Sequence, residues 1–292
     1  MLFVAIGKAF AGEPVDVQTV ATGLQYSEGT IFVGDTLYFV DYNASDVLRL
    51  AKNGAVQRVW HQDGCAANGL VQTGTRLLVA CYDSGTIAEI TQDGRLIDTI
   101  RSDDKGVPFV YPNDLTADRK GGVYFTASGS AVTPGKVYYR SADRRVREVA
   151  SNIRYSNGLA VSPNGKRLYV AESEASRLLV YSIAEDGGLS ERQVFVDLGQ
   201  LLGTQEETAV TPDGVRVDRN GNVFVALYRG GGFAVFSPGG TLLRSVKLPG
   251  EHHTNLAISP DGKAVFVTAI HDTSYGGESR SELLKVPNPL RE

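Results

Sequence analysis

Glu28-Gly-Thr-Ile-Phe-Val33, Gly34-Asp35 and Leu37-Tyr-Phe-Val40 form the stretch that decides the fold. A polar residue opens a run of β-branched and aromatic residues, a Gly-Asp pair turns the chain, and a second such run follows, which reads as a tight hairpin. Outward from it, Val47 to Leu50, a turn at Lys52-Asn53-Gly54 and Ala55 to Trp60 add a second hairpin. The unit then returns five times. Asn68-Gly-Leu precedes Leu77-Leu-Val-Ala, Asn113-Asp-Leu-Thr-Ala precedes Val123-Tyr-Phe-Thr, and Asn157-Gly-Leu-Ala-Val precedes Leu168-Tyr-Val-Ala. Asp213-Gly-Val-Arg-Val precedes Val223-Phe-Val-Ala, and Asn255-Leu-Ala-Ile precedes Val265-Phe-Val-Thr. From polar residue to second strand the offsets are 9, 9, 10, 11, 10 and 10, and successive units start 40, 45, 44, 56 and 42 residues apart. That period belongs to four-stranded propeller blades. The reading is an all-β, six-bladed β-propeller with four antiparallel strands per blade.

Ring closure is legible as well. The last unit offers Leu256 to Ile258, Val265 to Ala269 and Glu282 to Val286, and then reaches Pro287-Asn-Pro289 without a fourth strand. The N-terminal segment Val15 to Val20 alternates in strand fashion and is expected to close that last blade, which removes exposed sheet edges. Residues 13–292 are read as one propeller domain, with no helix-period stretch, and 1–12 as a separate N-terminal segment. Leu2-Phe-Val-Ala-Ile followed by Ala9-Phe10-Ala11 has features of a truncated signal peptide, but Lys8 interrupts the apolar run and no basic leader precedes it. A cytoplasmic location is slightly favoured, with a periplasmic or secreted one following if residues 1–11 are such a remnant.

A formal charge of −4 without a basic stripe argues against nucleic acid. No apolar run approaches the roughly 20 residues that a membrane helix needs. A small molecule or a protein remains as partner, and oligomeric state is left open. Cys65 and Cys81 flank the hairpin that turns at Gly74; a disulfide is geometrically conceivable, but with only two cysteines in the chain free thiols are the favoured expectation.

If each polar residue starts the innermost strand of its blade, Glu28, Asn68, Asn113, Asn157, Asp213 and Asn255 converge on one ring at the channel mouth. Carboxylate and amide oxygens around a shared centre suit a hard divalent cation. Glu28 and Asp213 would neutralise it, with one or more amides completing an open coordination sphere, whereas Asn68 and Asn255 taken singly also read as strand-capping residues. The second strand of each unit runs back to the same face. It delivers Asp41 and Tyr42, Tyr82 and Asp83, Thr126 to Ser128, Glu172, Tyr228 and Arg229, and Ile270 to Asp272. Loops entering the ring add Tyr111, Tyr155, His252 and His253. The stretched fourth interval places Leu198 to Val210, with Glu206 and Glu207, over the ring as a lid or a solvated loop.

Four phrases in register resemble the SMP-30/gluconolactonase/luciferin-regenerating family of six-bladed propellers. They are Ser27-Glu28-Gly29 with Leu37 to Asp41, Tyr111-Pro-Asn-Asp-Leu115 with Gly121 to Thr126, Ser156 to Ser162 with Arg167 to Ala171, and Pro212 to Asp218 with Gly221 to Ala226. The resemblance implies one divalent metal, calcium foremost with zinc, manganese or iron(II) as alternatives, held by Glu28, Asn157 and Asp213. It implies Asn113 facing the substrate and hydrolysis of a lactone, typically of a sugar acid such as gluconolactone. A cation would polarise the carbonyl while Asp213 accepts the proton of the attacking water and Asn113 donates a hydrogen bond. Two departures stand out: Tyr111 where animal members carry Arg, and Ala127 where bacterial relatives often carry Asp. Both make the mouth less charged, so the expected substrate is less polar than a typical aldonolactone, or is gripped by Arg229 or His253. The alternatives are an organophosphate or aryl-ester hydrolase, a strictosidine-synthase-like condensing enzyme, and a non-catalytic propeller that binds proteins. No Gly-x-Ser-x-Gly, His-Glu-x-x-His, Cys-x-x-Cys or phosphate loop supports another chemistry.

Overall fold

The computed structural model describes residues 15–202, 210–271 and 280–291. Blade one comprises β2 (Ser27–Val33), β3 (Thr36–Asp41), β4 (Asp46–Leu50) and β5 (Val56–His61), paired antiparallel in that order. Five more four-stranded sheets complete the six-bladed propeller. The sixth contains β22 (His252–Ile258), β23 (Ala264–Ile270) and β24 (Ser281–Pro287), with β1 (Gln18–Leu24) as its outer strand. Closure by the N-terminal segment is as expected, but the strand runs from Gln18, pairing with Lys285, to Leu24, pairing with Ser281. Val15 and Val17 precede it and pack on the seam between blades five and six.

Apolar side chains gather in six clusters, one at each seam between neighbouring blades. Middle strands are therefore covered on both faces, which is why they read as continuous apolar runs such as Leu77 to Cys81, all buried. Tyr38, Phe39, Tyr124, Phe125, Tyr169 and Phe224 are core residues here. The stretched fourth unit is occupied by a nine-residue outer strand (Leu189–Asp197) and a short helix, α1 (Leu198–Leu202), where no helix was expected. Asp197 Oδ1 accepts from Gln200 N at 2.8 Å, a helix-opening contact that explains why the chain leaves the sheet there. Glu206, Glu207 and Asp272 lie outside the described residues, as do residues 1–14. No helix among the described residues is long and apolar enough to cross a membrane.

The six innermost strands are β2, β6 (Ala67–Thr73), β10 (Pro112–Ala117), β14 (Ser156–Val161), β18 (Thr211–Val217) and β22. Each slips register against its neighbour at the mouth end, between Glu28 and Ile31, Ala67 and Leu70, Pro112 and Leu115, Ser156 and Leu159, Pro212 and Val215, and His253 and Leu256. A bulge repeated at one place in every blade re-aims a side chain toward the axis. It also brings adjacent inner strands close. A Cβ added to Gly158 would lie 2.3 Å from the Asp213 carbonyl oxygen, and one on Gly214 would lie 2.8 Å from Asn255 Cα. Glycine after Asn157 and after Asp213 is thus required by the close approach of the next inner strand.

Candidate active site

The bulges sort the inner residues into two layers. Leu70, Leu115, Leu159, Val215 and Leu256 each face the third residue of the next strand's apolar run, and two residues earlier stand Asn68, Asn113, Asn157, Asp213 and Thr254. In blade one Glu28, opposite Val40, completes this outer layer. Asn255 therefore does not belong to the outer ring; Thr254 holds that place, its Oγ1 donating to Ser27 O at 2.8 Å. Asn255 sits one residue deeper, level with Asp114. The equivalence is visible in their bonds: Asp114 N donates to Thr126 Oγ1 at 3.1 Å and Asn255 N to Thr268 Oγ1 at 2.7 Å.

The deeper layer is internally satisfied. Arg216 reaches into it from β18, donating to Asp114 Oδ2 (3.1 Å), Thr30 O (3.0 Å), Asn255 Oδ1 (3.0 Å) and Val215 O (2.8 Å). Asn255 Oδ1 also accepts from Thr30 Oγ1 at 3.1 Å and Leu256 N at 3.0 Å, so its amide nitrogen must face away. That nitrogen donates to Glu28 Oε2 at 3.3 Å. Asn255 is thus a positioning residue for a ring carboxylate.

The outer layer is not satisfied in the same way. Glu28 is buried, with Gly29 N on Oε2 at 3.0 Å, and burial raises its pKa to about 8, the Asp114 carboxylate adding to the rise. Asp213 is raised well above the usual carboxylate range by burial first, then by Glu28 and Asp114, against a hydrogen bond from Asn157. Asn157 Oδ1 is buried and has no hydrogen-bond partner. Three buried carboxylates, Glu28, Asp114 and Asp213, meet one guanidinium, so that ionising all three would leave two negative charges in excess. An orphaned carbonyl oxygen between carboxylates that resist ionisation fits a divalent cation with oxygen ligands. Among the described residues no three His, Cys, Asp or Glu side chains gather as a metal cluster. Asn113 is buried beside them, its Nδ2 donating to Ser128 Oγ at 3.1 Å, while its backbone oxygen accepts from Asn68 Nδ2 at 3.3 Å.

Loops into the ring are strapped by the end of the second strand. Asp41 accepts from Gln25 N and Tyr26 N, both at 2.9 Å, and Glu172 accepts from Arg154 N at 2.8 Å. At the corresponding place in blade two stands a disulfide, Cys65–Cys81, with both residues fully buried. The expectation of free thiols is corrected: the hairpin sets the two Cα atoms 4.4 Å apart, within bridging reach.

Above the ring, half-buried aromatic side chains touch in series. His252 stacks on Tyr228 with centroids 4.1 Å apart, Tyr228 bonds Tyr26, Tyr26 meets Tyr42 at 5.6 Å and Tyr42 meets Tyr82 at 5.9 Å. Tyr82 stacks on Tyr111 at 4.7 Å and shares a 2.9 Å hydroxyl contact with Tyr155. Burial above all, then Tyr228 and only after it Glu28 and Asp213, hold the Tyr26 phenol well above its ordinary pKa; burial does the same for Tyr155. Tyr111 is thus at the mouth, 39% exposed. His253 is not: it is fully buried, Nε2 donates to Pro249 O at 3.0 Å, and burial lowers its pKa to about 4. Consecutive strand residues face opposite ways, so it is His252 that joins the rim. Arg229, next to Tyr228, is exposed, and its guanidinium stacks over no ring of this belt among the described residues. Tyr26 escaped the sequence reading, although its place two residues before Glu28 matches Tyr111 before Asn113 and Tyr155 before Asn157.

Six blades around a mouth of buried carboxylates and amides, rimmed by tyrosines, define a six-bladed propeller with an oxygen-rich channel mouth. The chain belongs to the family described as SMP-30/Gluconolactonase/LRE-like region, whose model matches residues 26–271. It is 28% identical over 286 residues to a gluconolactonase of Zymomonas mobilis, spanning 88% of this chain and 79% of that one. It is 27% identical over 255 residues to pentonolactonase XacC of Haloferax volcanii, spanning 86% and 84%. The fold superposes with a TM-score of 0.75 on the XC5397 gluconolactonase structure from Xanthomonas campestris, at 22% identity and covering 98% and 93% of the two chains.

Proposed function

We propose that this protein is a metal-dependent lactonase that opens the lactone of a sugar acid, or of a less polar relative, at the Glu28, Asn157 and Asp213 mouth. The observation that carries the reading is the orphaned Asn157 Oδ1 beside two buried carboxylates, in a chain whose relatives include a gluconolactonase and a pentonolactonase. A divalent cation held by those three residues, calcium foremost on the hardness of the donors, would polarise the lactone carbonyl and stabilise charge on its oxygen.

The protein's own groups supply the proton traffic. Asp213 takes a proton from the attacking water as its oxygen bonds to the acyl carbon. The ring C–O bond then breaks, and the leaving oxygen takes that proton back, giving the open hydroxy acid. Asn113, tied to Ser128 through one N–H, keeps its Oδ1 and second N–H for substrate. Asn255 and Gly29 N fix Glu28.

The test is a pH-stat screen of lactones, an aryl ester and an organophosphate, with and without chelator, on the wild type and Asp213→Ala. Lactone turnover that chelator abolishes, and that falls by about 10³-fold in Asp213→Ala, is expected. Chelator-insensitive turnover, or full activity of Asp213→Ala, would contradict the proposal.

A further inference from the structure

The deeper layer contains a link on which the mouth depends. Glu28 and Asp213 stand on β2 and β18, which are not neighbours in the ring, since β22 of blade six lies between them. Among the described residues each sheet stays within its own blade, so backbone pairing does not cross that gap. Arg216 does cross it. It stands three residues after Asp213 on β18, and its guanidinium donates to Thr30 O, two residues after Glu28 on β2, and to Asn255 Oδ1 on β22, each at 3.0 Å. A further bond of 3.1 Å to Asp114 Oδ2 anchors it to blade three. One planar fork thus ties four of the six blades, one layer beneath the mouth.

The link reaches Glu28 through a neutral intermediary. Asn255 Oδ1 also accepts from Thr30 Oγ1 at 3.1 Å and from Leu256 N at 3.0 Å, which fixes the amide so that its Nδ2 meets Glu28 Oε2 at 3.3 Å. Gly29 N falls on the same oxygen at 3.0 Å, so the carboxylate is oriented by Oε2. An amide passes on direction and no charge. A guanidinium bonded straight to Glu28 would neutralise it and compete with a cation, whereas here the charge of Arg216 is answered by Asp114.

We infer that Arg216 is a positioning residue of the mouth: through Thr30 and Asn255 it sets where Glu28 stands relative to Asp213, and so how tightly the two hold an ion. The inference rests on the metal-dependent reading above and adds to it a residue that acts through others.

Calorimetric titration of the chelated protein with calcium and with manganese tests it on the wild type, Arg216→Lys and Asn255→Leu, at a temperature where each is folded by circular dichroism. Lysine keeps a counter-charge for Asp114, but a single ammonium cannot reproduce the fork. Each variant should bind the ion about 10–100-fold more weakly than the wild type. Leu179→Ala, a cavity in the seam between blades three and four, supplies the control for lost stability and should keep the wild-type affinity. Affinity within about twofold of wild type in both variants, or an equal loss in Leu179→Ala, overturns the inference and leaves the lactonase reading standing. A wild type that binds neither ion overturns both.

Discussion

Two layers of the same six strands, one residue apart, are in opposite electrostatic states. In the deeper layer Asp114 faces Arg216, and Asn255 Oδ1 takes donors from Arg216, Thr30 and Leu256. In the outer layer Glu28 and Asp213 are driven toward their neutral forms, and Asn157 Oδ1 has no partner. Burial alone does not separate them, since Asp114 at 1% exposure is more enclosed than Glu28 or Asp213 at 5% each. The difference is a guanidinium below and none above. A protein can supply its own cation to a buried carboxylate, and here Arg216 does so for Asp114. With both ionised, the upper layer would carry two negative charges, the complement of the dication proposed for it.

Breaking the lower layer should have the largest effect on the fold. Arg216→Met strands the buried Asp114 carboxylate and is expected to cost about 3–5 kcal/mol in urea unfolding, because one partner of a buried pair is left uncompensated. Arg216→Met combined with Asp114→Leu should cost less than the sum of the two single changes. An Arg216→Met protein of unchanged stability would remove the distinction between the layers.

A smaller effect sharpens it. Without metal, Glu28 keeps its proton up to about pH 8 in the folded state, whereas the unfolded chain releases it near the ordinary glutamate value of 4.5. Across that window the folded state binds more protons, so the stability of the chelated protein should fall as pH rises, by a few kcal/mol in all. Glu28→Gln should flatten the slope. Thermal melts of both proteins with excess chelator across the window would check it; stability that rises with pH in the wild type would contradict the assignment.

How far the sequence could be read follows from the same geometry. The repeat exposed the blades because a unit that must bury both faces against its neighbours cannot vary its strand pattern much. Layering was harder to see. Blades four and six join their first two strands by loops of equal length, Val161 to Leu168 and Ile258 to Val265, yet Asn157 stands 11 residues before the second strand and Asn255 only 10. That single residue is the step from outer to deeper layer, and a bulge of unknown position hides it. The same uncertainty assigned His253 rather than His252 to the rim. Glu28, Asn113, Asn157 and Asp213 were legible because they share one phase of the repeat. The Cys65–Cys81 bridge was not, because only the coordinates show it taking the place that Asp41 and Glu172 fill with carboxylates.

The account turns on the outer layer holding one divalent cation, and calorimetric titration of the chelated, dialysed protein with calcium and with manganese tests that most directly. One ion per chain should bind to the wild type, with proton release, and Asp213→Asn should lose that binding while keeping its fold by circular dichroism. No binding of any divalent ion to the wild type, or equal binding to Asp213→Asn, would contradict it.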